Sequence, residues 1–360
     1  MYASAGSARG RYPHTEDAPI MKSSYARAVP SPEQRATLRQ ESPDWIKGLA
    51  ITLMVYGHIA HIGSLSLVQK QLVDLIYTFH MPLFLIVAGF FFHLRLGPLD
   101  TLRKTLSRVA RPYLIFISLY NLGLIAIQQV GVPTSNTPPG SLEEFVDVVI
   151  LRPRGGYWFL HSLVLIQAAL AVSGYVGARL NHGESTYLVV GLCVLSMICG
   201  FGILSPRTVA YFMLGIVLGR LGAAFPASGV LGGVLIAATA VLEAGDIFRF
   251  SIIQIAWCLS IALFLGGVGS YFGGSPIVMV FAWIGRNSIT ILVLHALFVV
   301  MLKPLAPLFL QVEPSGVAYS VFVVTATLPG CMLIGKCLDR GGMSRFCFGT
   351  RTIYSRIQSG

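Results

Sequence analysis

Apolar residues along this chain gather into long unbroken runs, at 46–63, 72–93, 112–131, 157–177, 186–204, 208–224, 227–245, 250–270, 287–304 and 316–336. Each approaches the roughly 20 residues that a helix rising 1.5 Å per residue needs to cross about 30 Å of hydrocarbon. The pattern predicts an all-α integral membrane protein with about ten transmembrane helices. The stretch 271–286, with Trp283 and Arg286, fits either an amphipathic interfacial segment or the start of the ninth helix. Residues 1–43 are polar and rich in Arg, Ser, Pro and Ala, which predicts a disordered tail. They lack the apolar segment of a secretory signal, so the first spanning helix must direct its own insertion. The body is expected over 44–340, followed by a basic tail at 341–360. No internal repeat is visible.

Composition agrees with lipid as the solvent: 54% of residues are hydrophobic and 11% charged, against about 25% charged in soluble domains. The formal charge of +11 would suggest nucleic acid in a soluble protein. In a membrane protein, basic residues collect in cytoplasmic loops and meet anionic lipid there, so no nucleic-acid partner is expected. With a cytoplasmic amino terminus, 20 of the 26 Lys and Arg fall on the cytoplasmic side, and only Lys70, Arg152, Arg154, Arg207, Arg249 and Lys303 fall opposite. Both termini are therefore expected in the cytoplasm. The six cysteines show no C-x-x-C and no paired His at metal spacing, so neither a disulfide framework nor a metal site is expected.

Ionisable side chains at bilayer depth are costly and need a partner, a cavity or a job. In the first helix, Asp44 and Lys47 share a face at the cytoplasmic entrance, and His58 follows eleven residues after Lys47. That spacing puts His58 roughly 16 Å deeper. His80 stands in the second helix beside Pro82, which frees a carbonyl and can bend the helix there. Two imidazoles facing one cavity would suit general-base work, since their unperturbed pKa of about 6.5 lies near operating pH. Packed, hydrogen-bonded histidines are the alternative. Arg95, Arg103, Lys104, Arg108 and Arg111 form a basic loop ahead of Pro112-Tyr113. Arg108 and Arg111 sit three apart, where guanidiniums can clamp phosphate, or they serve orientation alone. Weaker signals are Trp158 and His161 at the fourth helix, and Arg286 with His295 late in the chain. The polar stretch 132–156 either lines an outward mouth or is a solvated loop.

These residues resemble the membrane-bound acyltransferase-3 superfamily, and within it the branch of fucose 4-O-acetylases and exopolysaccharide O-acetyltransferases. The resemblance rests on Asp44-x-x-Lys47-Gly48 followed by Gly57-His58, on Phe79-His80-Met81-Pro82-Leu83-Phe84 with Gly89, and on Arg108-x-x-Arg111-Pro112-Tyr113. Tyr157-Trp158-Phe159-Leu160 and Gly285-Arg286-Asn287-Ser288 ahead of His295 complete it. It implies a multi-pass enzyme of the cell inner membrane that takes acetyl from acetyl-CoA to a hydroxyl of a surface glycan or its lipid-linked precursor, without a metal. The family's essential histidine falls on His58, its paired arginines on Arg108 and Arg111, and its basic residue at the start of the first helix on Lys47. Beside the resemblance, the residues themselves suggest His80 as a helper to His58, Arg108, Arg111 and Lys47 as the holders of the CoA phosphates, and Asp44, Trp158, Arg286 and His295 as supports. A late carboxylate found in some members has no counterpart in the last two helices. Asp74, Glu243 and Asp246 remain as acid partners by elimination. The rival readings are a proton-coupled transporter and a non-catalytic subunit of glycan export.

Overall fold

The computed structural model describes residues 43–92, 97–129, 137–180, 184–221, 225–242 and 245–354. All but Pro43 of the tail expected over 1–43, together with Arg95 and Glu243, lies outside the described residues. Among the described residues every regular element is helical. The chain is an all-α membrane protein; among the described residues six helical stretches, three of them running through a break or a change of helix type, are long and apolar enough to cross a bilayer, and further apolar helices are shorter.

Each of the ten apolar runs holds a helix, but the breaks differ from expectation. The first helix, α1, spans Asp44–Gly57 and stops short of the run's end. At 14 residues it is about 21 Å long, less than the hydrocarbon thickness. The second run is two helices, α2 (Ser66–Tyr77) and α3 (His80–Phe90), broken at Thr78 and Phe79. Pro82 does not make that break. It sits in the first turn of α3, where its missing N–H costs no hydrogen bond. The backbone exposed by the break is satisfied from elsewhere: Gln254 Nε2 (3.5 Å) and the Cys258 thiol (3.4 Å) donate to the Thr78 carbonyl, and Trp257 Nε1 donates to its hydroxyl at 3.0 Å. An interrupted span persists in lipid only where such groups are paired within the protein.

The stretch read as a basic loop is instead helical. Pro98–Thr105 (α4) runs through a wide π-type turn at Leu106–Ala110 into α5, Arg111–Gln129. Lys and Arg are good helix formers, so polarity alone does not end a helix. The long segment before the fourth run holds a short helix, α6 (Leu142–Val146), and a second wide turn over Asp147–Leu151. Then come α7 (Tyr157–Arg179), α8 (Glu184–Gly200), α9 (Pro206–Leu221), α10 (Gly229–Leu242) and α11 (Ile252–Tyr271). Residues 271–286 resolve into a separate helix, α12 (Pro276–Arg286), and the chain continues through α13 (Ser288–Leu302), α14 (Ala306–Val312) and α15 (Val317–Arg340).

Small residues set the closest crossings, as lipid-embedded helices require. α12 lies against α1 where Gly48 and Gly285 face backbone: a Cβ at Gly48 would stand 1.7 Å from the Phe281 carbonyl oxygen, and one at Gly285 1.8 Å from that of Asp44. α9 meets α3 through Gly215 and Gly219, which touch the backbone of Ile86 and Phe90. Packing continues beyond Arg340. The Asp339 carboxylate accepts from the Ser344 hydroxyl and from the backbone N–H groups of Ile353 and Tyr354. A last short helix, α16 (Ser344–Phe348), buries Cys347 and Phe348, with Phe348 against Phe116.

Candidate active site

A cavity of about 620 Å³ opens where the end of α1, the break between α2 and α3, the 151–162 segment and the start of α9 meet. His58, His80, His161, Arg152, Arg207 and Trp158 are on its wall. Tyr77, Gly156 and Tyr211 also border it, and none of its lining residues is Asp, Glu or Lys.

His58 follows the last turn of α1, its backbone N–H shared between the carbonyls of Met54 and Val55, and its side chain is exposed to the cavity. Tyr77 fixes this turn: its hydroxyl donates to the Gly57 carbonyl at 2.8 Å. The ring lies so close that a Cβ on Gly57 would be 2.6 Å from Tyr77 Cε1. The same ring stacks on His80, 5.0 Å between centroids. His80 is buried, and its Nδ1 donates to the Ile76 carbonyl at 2.8 Å, which leaves the lone pair on Nε2. His161 is arranged the other way round, Nε2 donating to Ile150 at 2.9 Å.

Behind His58 stands His295 of α13, 1% exposed, its ring 5.1 Å from that of His58. Its Nδ1 proton is shared between the carbonyls of Ile291 (3.1 Å) and Leu292 (3.0 Å), and its Nε2 is buried without a partner. Gly156 borders both rings: a Cβ there would lie 3.1 Å from His295 Nε2 and 3.8 Å from His58 Nε2. Tyr157 holds this glycine in place by donating to the Val293 carbonyl at 2.7 Å.

The basic residues assigned to the donor lie apart from the cavity wall. Lys47 pairs with Asp44 at 2.5 Å, and the continuous helix from Lys47 to Gly57 keeps it about 15 Å from the cavity end of α1. Arg108 is exposed on the π-type turn, and Arg111 Nη1 donates to the Arg345 carbonyl at 3.3 Å. The wide turn ends between these two arginines, so they do not keep regular α-helical spacing. Arg286 has a buried Nε without a partner, one residue from the Gly285 crossing with α1.

Asp74 and Asp246 do not line the cavity, so elimination named no acid for His58 on its wall; its ring neighbour is another imidazole. Among the described residues no group of three or more His, Cys, Asp or Glu could hold a metal ion. Sequence reasoning did not single out Tyr77, Gly156, Arg207 or Tyr211. Tyr77 and His80 meet across the break between α2 and α3, which no spacing in the sequence announces.

A family model described as an acyltransferase domain matches residues 40–336. No curated protein and no solved structure matches the chain.

Proposed function

Because the chain belongs to the acyltransferase-3 family over most of its length, and is thereby a membrane acyltransferase, we propose that it is an O-acetyltransferase of the cell inner membrane. In this reading it moves acetyl from acetyl-CoA to a hydroxyl of an exported polysaccharide or its lipid-linked precursor. The observation that carries the reading is the cavity shared by His58 and His80, with Lys47 at the far end of α1 and Arg108 and Arg111 off its wall.

In this mechanism Lys47, Arg108 and Arg111 hold the phosphates of CoA while the thioester arm extends along α1. The acceptor hydroxyl loses its proton to an imidazole as its oxygen attacks the thioester carbonyl. The C–S bond then breaks, and the departing thiolate takes that proton from the imidazolium. In the two-step version His58 attacks the thioester carbonyl, the C–S bond breaks and the thiol leaves with the proton that the ring sheds; the acceptor hydroxyl, passing its proton to a base, then takes the acetyl group from the acyl-imidazole and frees His58. His80 has a lone pair on Nε2 and supplies the helper base. The transporter rival gains one feature, the interrupted span at Thr78. Its freed carbonyl, however, is already occupied by Gln254 and Cys258, which leaves it poorly suited to coordinate a passing ion.

The test is the O-acetyl content of the host's extracellular polysaccharide by proton NMR. A deletion strain carrying wild-type protein is compared with one carrying His58→Ala at equal membrane abundance. Loss of the acetyl signal with His58→Ala alone is expected. Unchanged acetylation in the deletion strain itself removes the polysaccharide assignment.

A further inference from the structure

The wall of the cavity has a sign. Its ionisable groups are Arg152, Arg207, three histidines and two tyrosines, with no carboxylate among them. Arg152 is largely in solvent and meets Asp147 only at the outer limit of an ion pair, 4.0 Å. Arg207 is half-buried and has no carboxylate partner among the described residues. Its neighbour on the same wall is the Tyr211 hydroxyl four residues on, a single partner against the five N–H donors of a guanidinium. Arg207 is also the second residue of α9, where the helix's own unpaired N–H groups are positive and a cation gains nothing from them. A half-buried guanidinium without a carboxylate partner keeps N–H donors that an arriving oxyanion can engage two at a time.

We infer that the acyl acceptor is an anionic saccharide, one bearing a carboxylate or a phosphate, and that Arg207 reads this charge while the reacting hydroxyl faces His58. The inference rests on the reading of this cavity as the acceptor's. The volume, about 620 Å³, falls in the range that encloses a small molecule rather than a long polymer, so a terminal or lipid-linked sugar enters it. Trp158 offers an indole on the same wall, a surface for the apolar face of the sugar ring. Arg152, further out, adds long-range attraction and is screened by salt.

The test is equilibrium binding by calorimetry to the full chain in lipid nanodiscs, with methyl glucuronide, glucose 1-phosphate and neutral methyl glucoside as probes. Wild-type protein is expected to bind at least one charged sugar tenfold or more tightly than the neutral one, a gap that narrows as salt rises. Arg207→Gln should close the gap, and Arg207→Lys should keep part of it, which separates lost charge from lost fold. The carboxylate and phosphate arms identify which oxyanion is preferred. Equal binding of charged and neutral sugars, a preference that survives Arg207→Gln, or no binding of either charged sugar overturns the inference. It also falls if Arg207→Gln raises KM for acetyl-CoA while leaving acceptor preference unchanged, because the guanidinium then serves the donor's phosphates. The same titrations on His58→Ala should retain the charge preference. A His58→Ala protein that still transfers acetyl while showing that preference would refute the catalytic reading and leave the anionic site standing.

Discussion

At His295 one proton decides what the side chain can do. With Nδ1–H held by two carbonyls of its own helix, Nε2 can only accept, and the ring beside it, bordered like it by Gly156, is that of His58. We propose that His295 is a positioning residue, its buried ring packed against His58 and limiting the rotamers that the His58 side chain can adopt. Replacing it by Leu should lower kcat by about tenfold or more, in keeping with misplacing a general base, while KM for acetyl-CoA stays within about twofold. Steady-state CoA release with varied donor checks this split, and a matched rise in KM would assign His295 to the donor site. Gly156→Ala puts a methyl group 2.9 Å from His295 Cε1 and should reproduce the kcat loss without unfolding the protein. His58, His80 and His295 each stood out in the sequence as ionisable groups in apolar runs. Their convergence was not readable, because it depends on a glycine carried in from a loop and on Tyr77 closing over Gly57.

Among the elements, the crossing of α1 with α12 has the least room to adjust. The neighbours of Gly48 and Gly285 are backbone atoms, so an added methyl group must part the helices. Gly48→Ala or Gly285→Ala should each cost about 1–3 kcal/mol, the usual scale of overpacking. Gly123→Ala has open space at its Cβ and should be neutral or stabilising by up to about 1 kcal/mol. Unfolding midpoints of the three proteins in one detergent test this, and equal destabilisation by all three would refute the crossing. The order of the apolar runs was enough to place most helices, since a run near 20 residues has few other solutions in lipid. Two features escaped that logic. The helical character of 98–111 was hidden by its charges. The break at Thr78 was hidden because its stabilising partners, Gln254, Trp257 and Cys258, lie far along the chain.

For the whole molecule, the asymmetry of Lys and Arg predicts that the cavity's loop and the basic residues proposed for the donor face opposite sides of the membrane. In a cysteine-free background, Gly140→Cys should react with a membrane-impermeant maleimide in intact cells, and Arg345→Cys only after the membrane is opened. The opposite labelling pattern would overturn the expected orientation. The distant joining of α1 to α12 through Gly48 and Gly285 also sets a schedule. α1 leaves the ribosome long before α12 exists, so for most of synthesis its glycine face waits in the bilayer without its partner, and His58 waits without His295. A stalled or truncated chain would keep that face open, a lasting mark by which membrane proteases could tell an unfinished copy from a finished one.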